Sequence, residues 1–329
     1  MMKKLFALMM ALMMMVSLAA CGGTNSGNTE DNDSDDAKVY NIGICQLVEH
    51  EALDAATQGF KDALVDLLGE GNVKFDDQNA QGEQAMCSTI INNFVSADVD
   101  LILANATLPL QTAAQATSEI PIVGTSITDY ATALGISDWT GKTGANITGT
   151  SDLAPLDEQE NMLVELFPDA KQVGILFSSA EANSQYQADV FMAELEADNI
   201  SGKEYKFTDT NDLQAVVQSA IAECDVIYIP TDNAAASNTE AIKNLCVPAG
   251  IPIIAGESGI CSGCGVATLS ISYYDIGYKA GEMAYDILAN GADITTMDIE
   301  FAPQVTKMYN AEICETLNIT VPDDYQVIE

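Results

Sequence analysis

Three short apolar segments of this chain occur twice in the same order, and the duplication restricts the fold more than any other feature. Ile42-Gly43-Ile44 is echoed by Val173-Gly174-Ile175, Asp100-Leu101-Ile102 by Asp225-Val226-Ile227, and Ile120-Pro121-Ile122-Val123 by Ile251-Pro252-Ile253-Ile254. The first and third echoes lie 131 residues apart and the middle one 125, so the repeats differ only in loop length. Between them the periodicity alternates. Val39 to Cys45, Val73 to Phe75, Leu101 to Ala104 and Ile120 to Val123 read as short strands, whereas Leu53 to Leu68, Ala85 to Val95 and Leu108 to Thr117 read as helices. Such alternation predicts a doubly wound parallel sheet with helices on both faces. Met twice, it predicts an α/β molecule of two lobes whose strand carboxyl ends face a crevice.

Thr143 to Asp152, rich in Gly, Thr and Ser, is expected to hold the first crossover between lobes. After the second repeat come a strand (Val266 to Ile271), a helix (Ile276 to Leu288), a strand (Met297 to Phe301) and a short helix (Ala311 to Leu317). Gly277, Ala280, Gly281 and Ala284 suit that longer helix to close packing. These surplus elements predict that the chain recrosses the hinge. One lobe is expected to hold residues 38–149 plus 271–291, and the other 150–270 plus 292–329.

The N-terminus gives an address. Met1-Met2-Lys3-Lys4, the apolar run Leu5 to Val16 and Leu18-Ala19-Ala20-Cys21 form the three parts of a secretory signal, here residues 1–20. A spanning helix needs about 20 apolar residues, more than this run supplies. Leu-Ala-Ala-Cys resembles the bacterial lipobox, which implies acylation of Cys21 and a lipid anchor on the extracytoplasmic face of the membrane. Residues 21–37, with no apolar side chain able to pack, read as a flexible linker.

Charge and residue counts then exclude whole classes. With 12 basic and 49 acidic residues the net charge is −37, which argues against nucleic acid and against a basic face on anionic lipid. The single histidine, His50, excludes metal sites built from several imidazoles and any Ser/His or Cys/His pair that does not use it. No Gly-x-Ser-x-Gly elbow is present, because Gly256-Glu257-Ser258-Gly259-Ile260 fails at its last position. Gly135 to Lys142 has five residues between its glycines where a phosphate loop needs four. No enzyme, cofactor or metal is expected. Cys261-Ser262-Gly263-Cys264 lacks a second CxxC and reads as a loop disulfide or two free thiols.

Ligand-binding residues in such a fold lie just after strands. Those positions hold Glu49-His50-Glu51, Asn79-Ala80-Gln81-Gly82, Asn105-Ala106-Thr107, Thr125-Ser126-Ile127-Thr128-Asp129, Glu181-Ala182-Asn183-Ser184, Thr231-Asp232-Asn233 and Gly256-Glu257-Ser258. Helix caps require the same residue types, so position alone does not separate a site from a set of caps.

Glu49-His50, Ala52 to Ala56, Asn79 to Gly82, Thr128-Asp129, Thr148 to Asp152, Glu181 to Ser184 and Asp232-Asn233, in this order, resemble the ABC-transporter substrate-binding lipoproteins that include tryptophan and tyrosine binders. The resemblance runs from about Val39 to the C-terminus. It departs at Tyr130, where the family commonly has proline, and at Thr107-Leu108-Pro109, which interrupts a usual Thr-Pro. The resemblance implies a type I periplasmic-binding-protein fold, a monomer closing by hinge motion on a small solute. It also implies delivery to permease subunits with a cytoplasmic ATPase.

For an amino-acid ligand, Thr107, Gln111 and Thr128 are candidates for the carboxylate, with Asp152 and Asp232 for the ammonium. Ser151, between Thr150 and Asp152, completes the candidate set. Tyr130, Tyr186 and Tyr273 are candidate partners for an aromatic ring. The same clamp would serve a lipoprotein that senses a ligand for a membrane receptor or kinase, or a carrier of a nucleoside, sugar or peptide. The genetic neighbourhood and a ligand screen separate these readings.

Overall fold

The computed structural model describes residues 38–328; the signal peptide 1–20, Cys21 and the linker 21–37 expected from the sequence lie outside the described residues. In chain order the first repeat runs β1 (Tyr40–Gln46), α1 (Glu51–Leu68), β2 (Val73–Asn79), α2 (Gln84–Ser96), β3 (Leu101–Asn105), α3 (Thr107–Ala116), β4 (Ile122–Ile127), α4 (Tyr130–Leu134) and β5 (Ile147–Ser151). The second runs α5 (Leu156–Leu166), β6 (Gln172–Ser178), α6 (Ala182–Ala197), β7 (Ser201–Phe207), α7 (Thr210–Glu223), β8 (Val226–Ile229), α8 (Asn233–Ala236), α9 (Thr239–Ala249), β9 (Ile253–Ala255), α10 (Ser258–Cys264) and β10 (Ala267–Ser270). A tail adds α11 (Tyr273–Ala289), β11 (Glu300–Phe301), β12 (Thr306–Tyr309), α12 (Ala311–Leu317) and β13 (Gln326–Val327).

The strands form two sheets, ordered β11-β5-β4-β3-β1-β2 and β13-β12-β10-β9-β8-β6-β7. Without the tail strands the two orders are the same topology, so the duplication read in the sequence is a duplication in space. The echoed residues do the same jobs in both lobes. Asp100 accepts from the Asn41 N–H at 2.8 Å, and Asp225 from those of Lys171 and Gln172 at 2.9 and 3.0 Å, tying the start of the third strand to the first. A Cβ on Gly43 would collide with the Phe94 ring, and one on Gly174 with the Cys224 sulfur, so both glycines let a helix settle on the sheet.

Pairing is parallel throughout except where β12 runs antiparallel to β10. Two expected boundaries move. The Thr143 to Asp152 segment contains β5, a full member of the first sheet, and the crossover follows it. Residues 292–329 do not lie wholly in the second lobe, because Glu300–Phe301 pairs with Thr150 and Ser151 at the edge of the first sheet. The chain therefore recrosses after Phe301, and β12 and β13 finish the second sheet.

Although α11 follows the second repeat, it belongs to the first lobe. Ala280 and Ala284 pack with Ile42, Phe60, Leu64 and Leu103. Gly59 and Gly277 sit where a Cβ would fall on the Tyr274 and Ala56 carbonyl oxygens, so α1 and α11 touch backbone to backbone. The second lobe has its own cores, one around Phe177, Phe191 and Tyr228 and another around Phe207, Ile227 and Cys261. Cys261 and Cys264 are free and buried on α10 and so are helical thiols, not a loop disulfide. No described helix is long and apolar enough to cross a membrane.

Candidate ligand-binding site

In both sheets the strand order reverses beside the first strand, and loops leaving the carboxyl ends there open a crevice. The loop after β1 brings His50, that after β6 brings Glu181 and Asn183, and that after β8 brings Thr231, Asp232 and Asn233. Ser126 comes from a break in the β4–β5 register between Gly124 and Ile127, a bulge that turns its side chain inward. Asp152 and Tyr273 stand on the crossings themselves.

All of these except Glu181 enclose a cavity of about 10 Å³, room for one water-sized group, with Leu53, Ala236 and Glu257 completing the wall. Asn183 and Asn233 also border a larger cleft of about 580 Å³. Its first-lobe wall carries Leu47, Val48, Gln81, Thr107, Leu108 and Gln111. No lysine lines either space, and the chain contains no arginine.

The lobes are in contact. His50 Nε2 meets Asn233 Oδ1 at 3.1 Å and Thr128 Oγ1 meets Thr231 Oγ1 at 3.3 Å, each bond joining the two halves. Ser151 supports the latch by donating to the Thr128 carbonyl at 2.9 Å. At the crossings, the Tyr273 hydroxyl donates to Asp152 Oδ2 at 2.9 Å.

Asp232 and Asp152, equivalent in the sequence, differ in the fold. Asp232 caps α8: Oδ1 accepts from Ala235 N, and Oδ2 from Ser178 N and Ser184 Oγ, all within 2.8 Å. Burial and the nearby Glu181 still push its pKa up to about 8. Its oxygens are thus both engaged in holding α8 and the start of α6, although Asp232 also lines the chamber. Glu181 is likewise engaged by Asn233 N, Asn233 Nδ2 and Ala234 N at 3.0, 2.6 and 2.9 Å. Glu257 caps α10 through the N–H groups of Gly259 and Ile260, and burial raises its pKa to about 7. Asp152 is buried with Oδ1 unpartnered, and burial raises its pKa against the hydrogen bonds from Tyr273 and Thr128.

Of the other candidates, Asn183 lines both spaces, while Gln81, Thr107, Gln111 and Glu181 line the cleft. Ser184 and Asp129 are engaged within their own lobes, Ser184 to Asp232 and Asp129 to the Thr132 N–H. Glu49 and Asn79 sit instead beside Lys61 in a shallow surface pocket. Tyr130 is not a ring partner: it is buried in the first core with its hydroxyl on the Thr150 carbonyl, in space left by Gly124 and Gly149. Tyr186 lines neither space, and Tyr273 presents its hydroxyl end through the bond to Asp152. Ser126 and Thr231 fall within two of the after-strand clusters, but nothing local in the sequence singles them out from cap residues.

Comparison with known proteins places this geometry. The family model described as "ABC transporter substrate binding protein" matches residues 41–328. The chain belongs to that family. It is 35% identical to the "Tyrosine-binding protein" of Clostridioides difficile (strain R20291) over 90% of this chain and 88% of that one. Among solved structures, it is similar to an ABC domain from Streptococcus pneumonia in complex with L-Trp, at 29% identity and a TM-score of 0.84, over 88% of this chain and all of that one. A substrate binding protein with adhesive properties from Clostridium difficile, ligand-free and open, is more identical (34%, over 88% of this chain and 99% of that one) yet superposes less well, with a TM-score of 0.68. A whole-chain superposition falls when lobes are set at different angles, and that relative is the one described as open. The fold is the two-lobed periplasmic-binding-protein type I fold, and substrate-binding proteins of this class work outside the cytoplasm.

Proposed function

We propose that this protein captures an aromatic amino acid between its lobes and delivers it to a membrane permease, held at the membrane by a lipid on Cys21. One observation carries the reading: Asp152 is buried with a free oxygen in a chamber lined by no cation. A buried carboxylate without a countercharge is costly, and a ligand ammonium removes that cost. The carboxylate of the same ligand then needs neutral donors, since no guanidinium exists in the chain. The first turn of α3 at Thr107 has no side-chain cap and faces the cleft, where its N–H groups suit an anion. The cleft beyond, with Leu47, Val48 and Leu108, accepts an apolar side chain. The printed descriptions of two relatives, one a tyrosine binder and one in complex with L-Trp, support the aromatic class.

Calorimetric titration with L-tryptophan, L-tyrosine and L-phenylalanine tests the assignment, and silence toward all three defeats it. Asp152→Asn is expected to weaken binding by ~2–4 kcal/mol while leaving the fold intact. For the anchor, Cys21→Ser should move the protein from the membrane to the soluble fraction.

A further inference from the structure

Three of the residues lining the chamber each carry a buried polar atom with no hydrogen-bond partner: Asp152 Oδ1, Ser126 Oγ and His50 Nδ1. Orphans of this kind are uncommon in native interiors, and three around one water-sized space call for a common occupant. Their hydrogen-bonding character follows from their surroundings. Glu181 Oε2 accepts from both the backbone N–H and Nδ2 of Asn233, which fixes that amide with Nδ2 toward Glu181. Asn233 Oδ1 therefore faces His50 Nε2 and can only accept, so the imidazole hydrogen resides on Nε2. Burial lowers the His50 pKa against the opposing pull of Asn233 and Asp54, which keeps the ring neutral and leaves Nδ1 a bare lone pair. Asp152 Oδ1 is a second acceptor. Ser126 supplies a third from an uncommon backbone conformation, φ +57° in a non-glycine residue, at the β4 bulge.

We propose that Asp152 Oδ1, His50 Nδ1 and Ser126 Oγ form a tripod of acceptors for the three N–H bonds of a primary ammonium, and that Glu181 and Asn233 are positioning residues that set the histidine tautomer. This rests on the amino-acid reading above and adds a selection rule to it. An ammonium can donate to all three and supplies the countercharge Asp152 lacks, whereas a water, although it could accept from the Ser126 hydroxyl and donate to the other two, brings no charge. An N-methylated amine leaves one acceptor empty and forces a methyl group into a cavity of about 10 Å³.

The test needs no mutation at first. The mature protein is titrated with L-tryptophan, L-tyrosine and L-phenylalanine, then with the N-methyl, N,N-dimethyl and deaminated forms of those that bind. One methyl is expected to weaken binding at least about tenfold, the loss of one bond to a charged group, and deamination to abolish it. An N-methyl ligand bound within about threefold of its parent overturns the tripod and leaves the amino-acid reading standing. If none of the three parents binds, both fall. Ser126→Ala is expected to weaken the parent about tenfold and to shrink the methyl penalty, because the acceptor the methyl offends is gone. An unchanged penalty in that variant removes Ser126 from the tripod and so overturns it. With one histidine in the chain, nitrogen NMR of the ligand complex reads the tautomer directly: Nε2–H is expected, and Nδ1–H overturns the arrangement.

Discussion

Four carboxyl groups surround the site, and their existing bonds divide the labour among them. Asp232, Glu181 and Glu257 hold helix starts and loops in place, whereas Asp152 keeps an oxygen in reserve. Truncating Asp232 orphans two buried N–H groups and the Ser184 hydroxyl, so Asp232→Ala should cost ~2–4 kcal/mol of stability in urea unfolding. Asp152→Asn should cost little stability and much affinity, the opposite pattern. The sequence named the two aspartates together as ammonium partners, since neither carries a local sign of what its oxygens bond. The partners that separate them, Ser178 and Ser184, lie 54 and 48 residues before Asp232. That distance is outside the reach of a local motif. Ser126 lay inside a cluster the sequence marked, but its inward turn was not legible, since the bulge that produces it arises from pairing with β5.

Among the elements, the α1–α11 contact is the most demanding. Gly277→Ala places a methyl group on the Ala56 carbonyl and forces two packed backbones apart. It should destabilise the protein by ~1–3 kcal/mol, or more if the helices cannot shift, seen as an earlier urea midpoint; Gly291→Ala, with open space around its Cβ, reports the backbone cost alone, since its φ is +68°. The small residues of this helix were legible because they fall at helical spacing on one face. The edge strands were less so. β5 reads as a Gly/Thr linker because its strand character comes from pairing with β4, and β11 is two residues long, below any periodicity. β12 and β13 carry too few apolar residues to stand out, being specified by their neighbours in the sheet.

For the whole molecule, the duplicated topology was legible from three echoes, because a parallel sheet buried on both faces leaves continuous apolar runs. Net charge was less informative about acid response than the buried groups are. Glu257 and Asp232, raised to about 7 and about 8, bind protons in the native state that the unfolded chain has released. Unfolding free energy should therefore fall as pH rises from about 5 to 8. On the acid side Glu204, Asp212, Glu223 and Asp225 are held below their usual values, so the stability they contribute is lost as pH falls through their folded pKa values. Melting temperatures of the ligand-free protein against pH should peak between these limits, and a steady rise to pH 8 would show the buried carboxyl groups ionised. The tail has a further effect on how the molecule comes into being. The first lobe awaits α11 and β11, and the second awaits β12, α12 and β13, so neither is whole until nearly the last residue has emerged. A chain that emerges N-terminus first therefore carries an unfinished first sheet until Phe301 and an unfinished second one until Val327, whatever its earlier segments have already built.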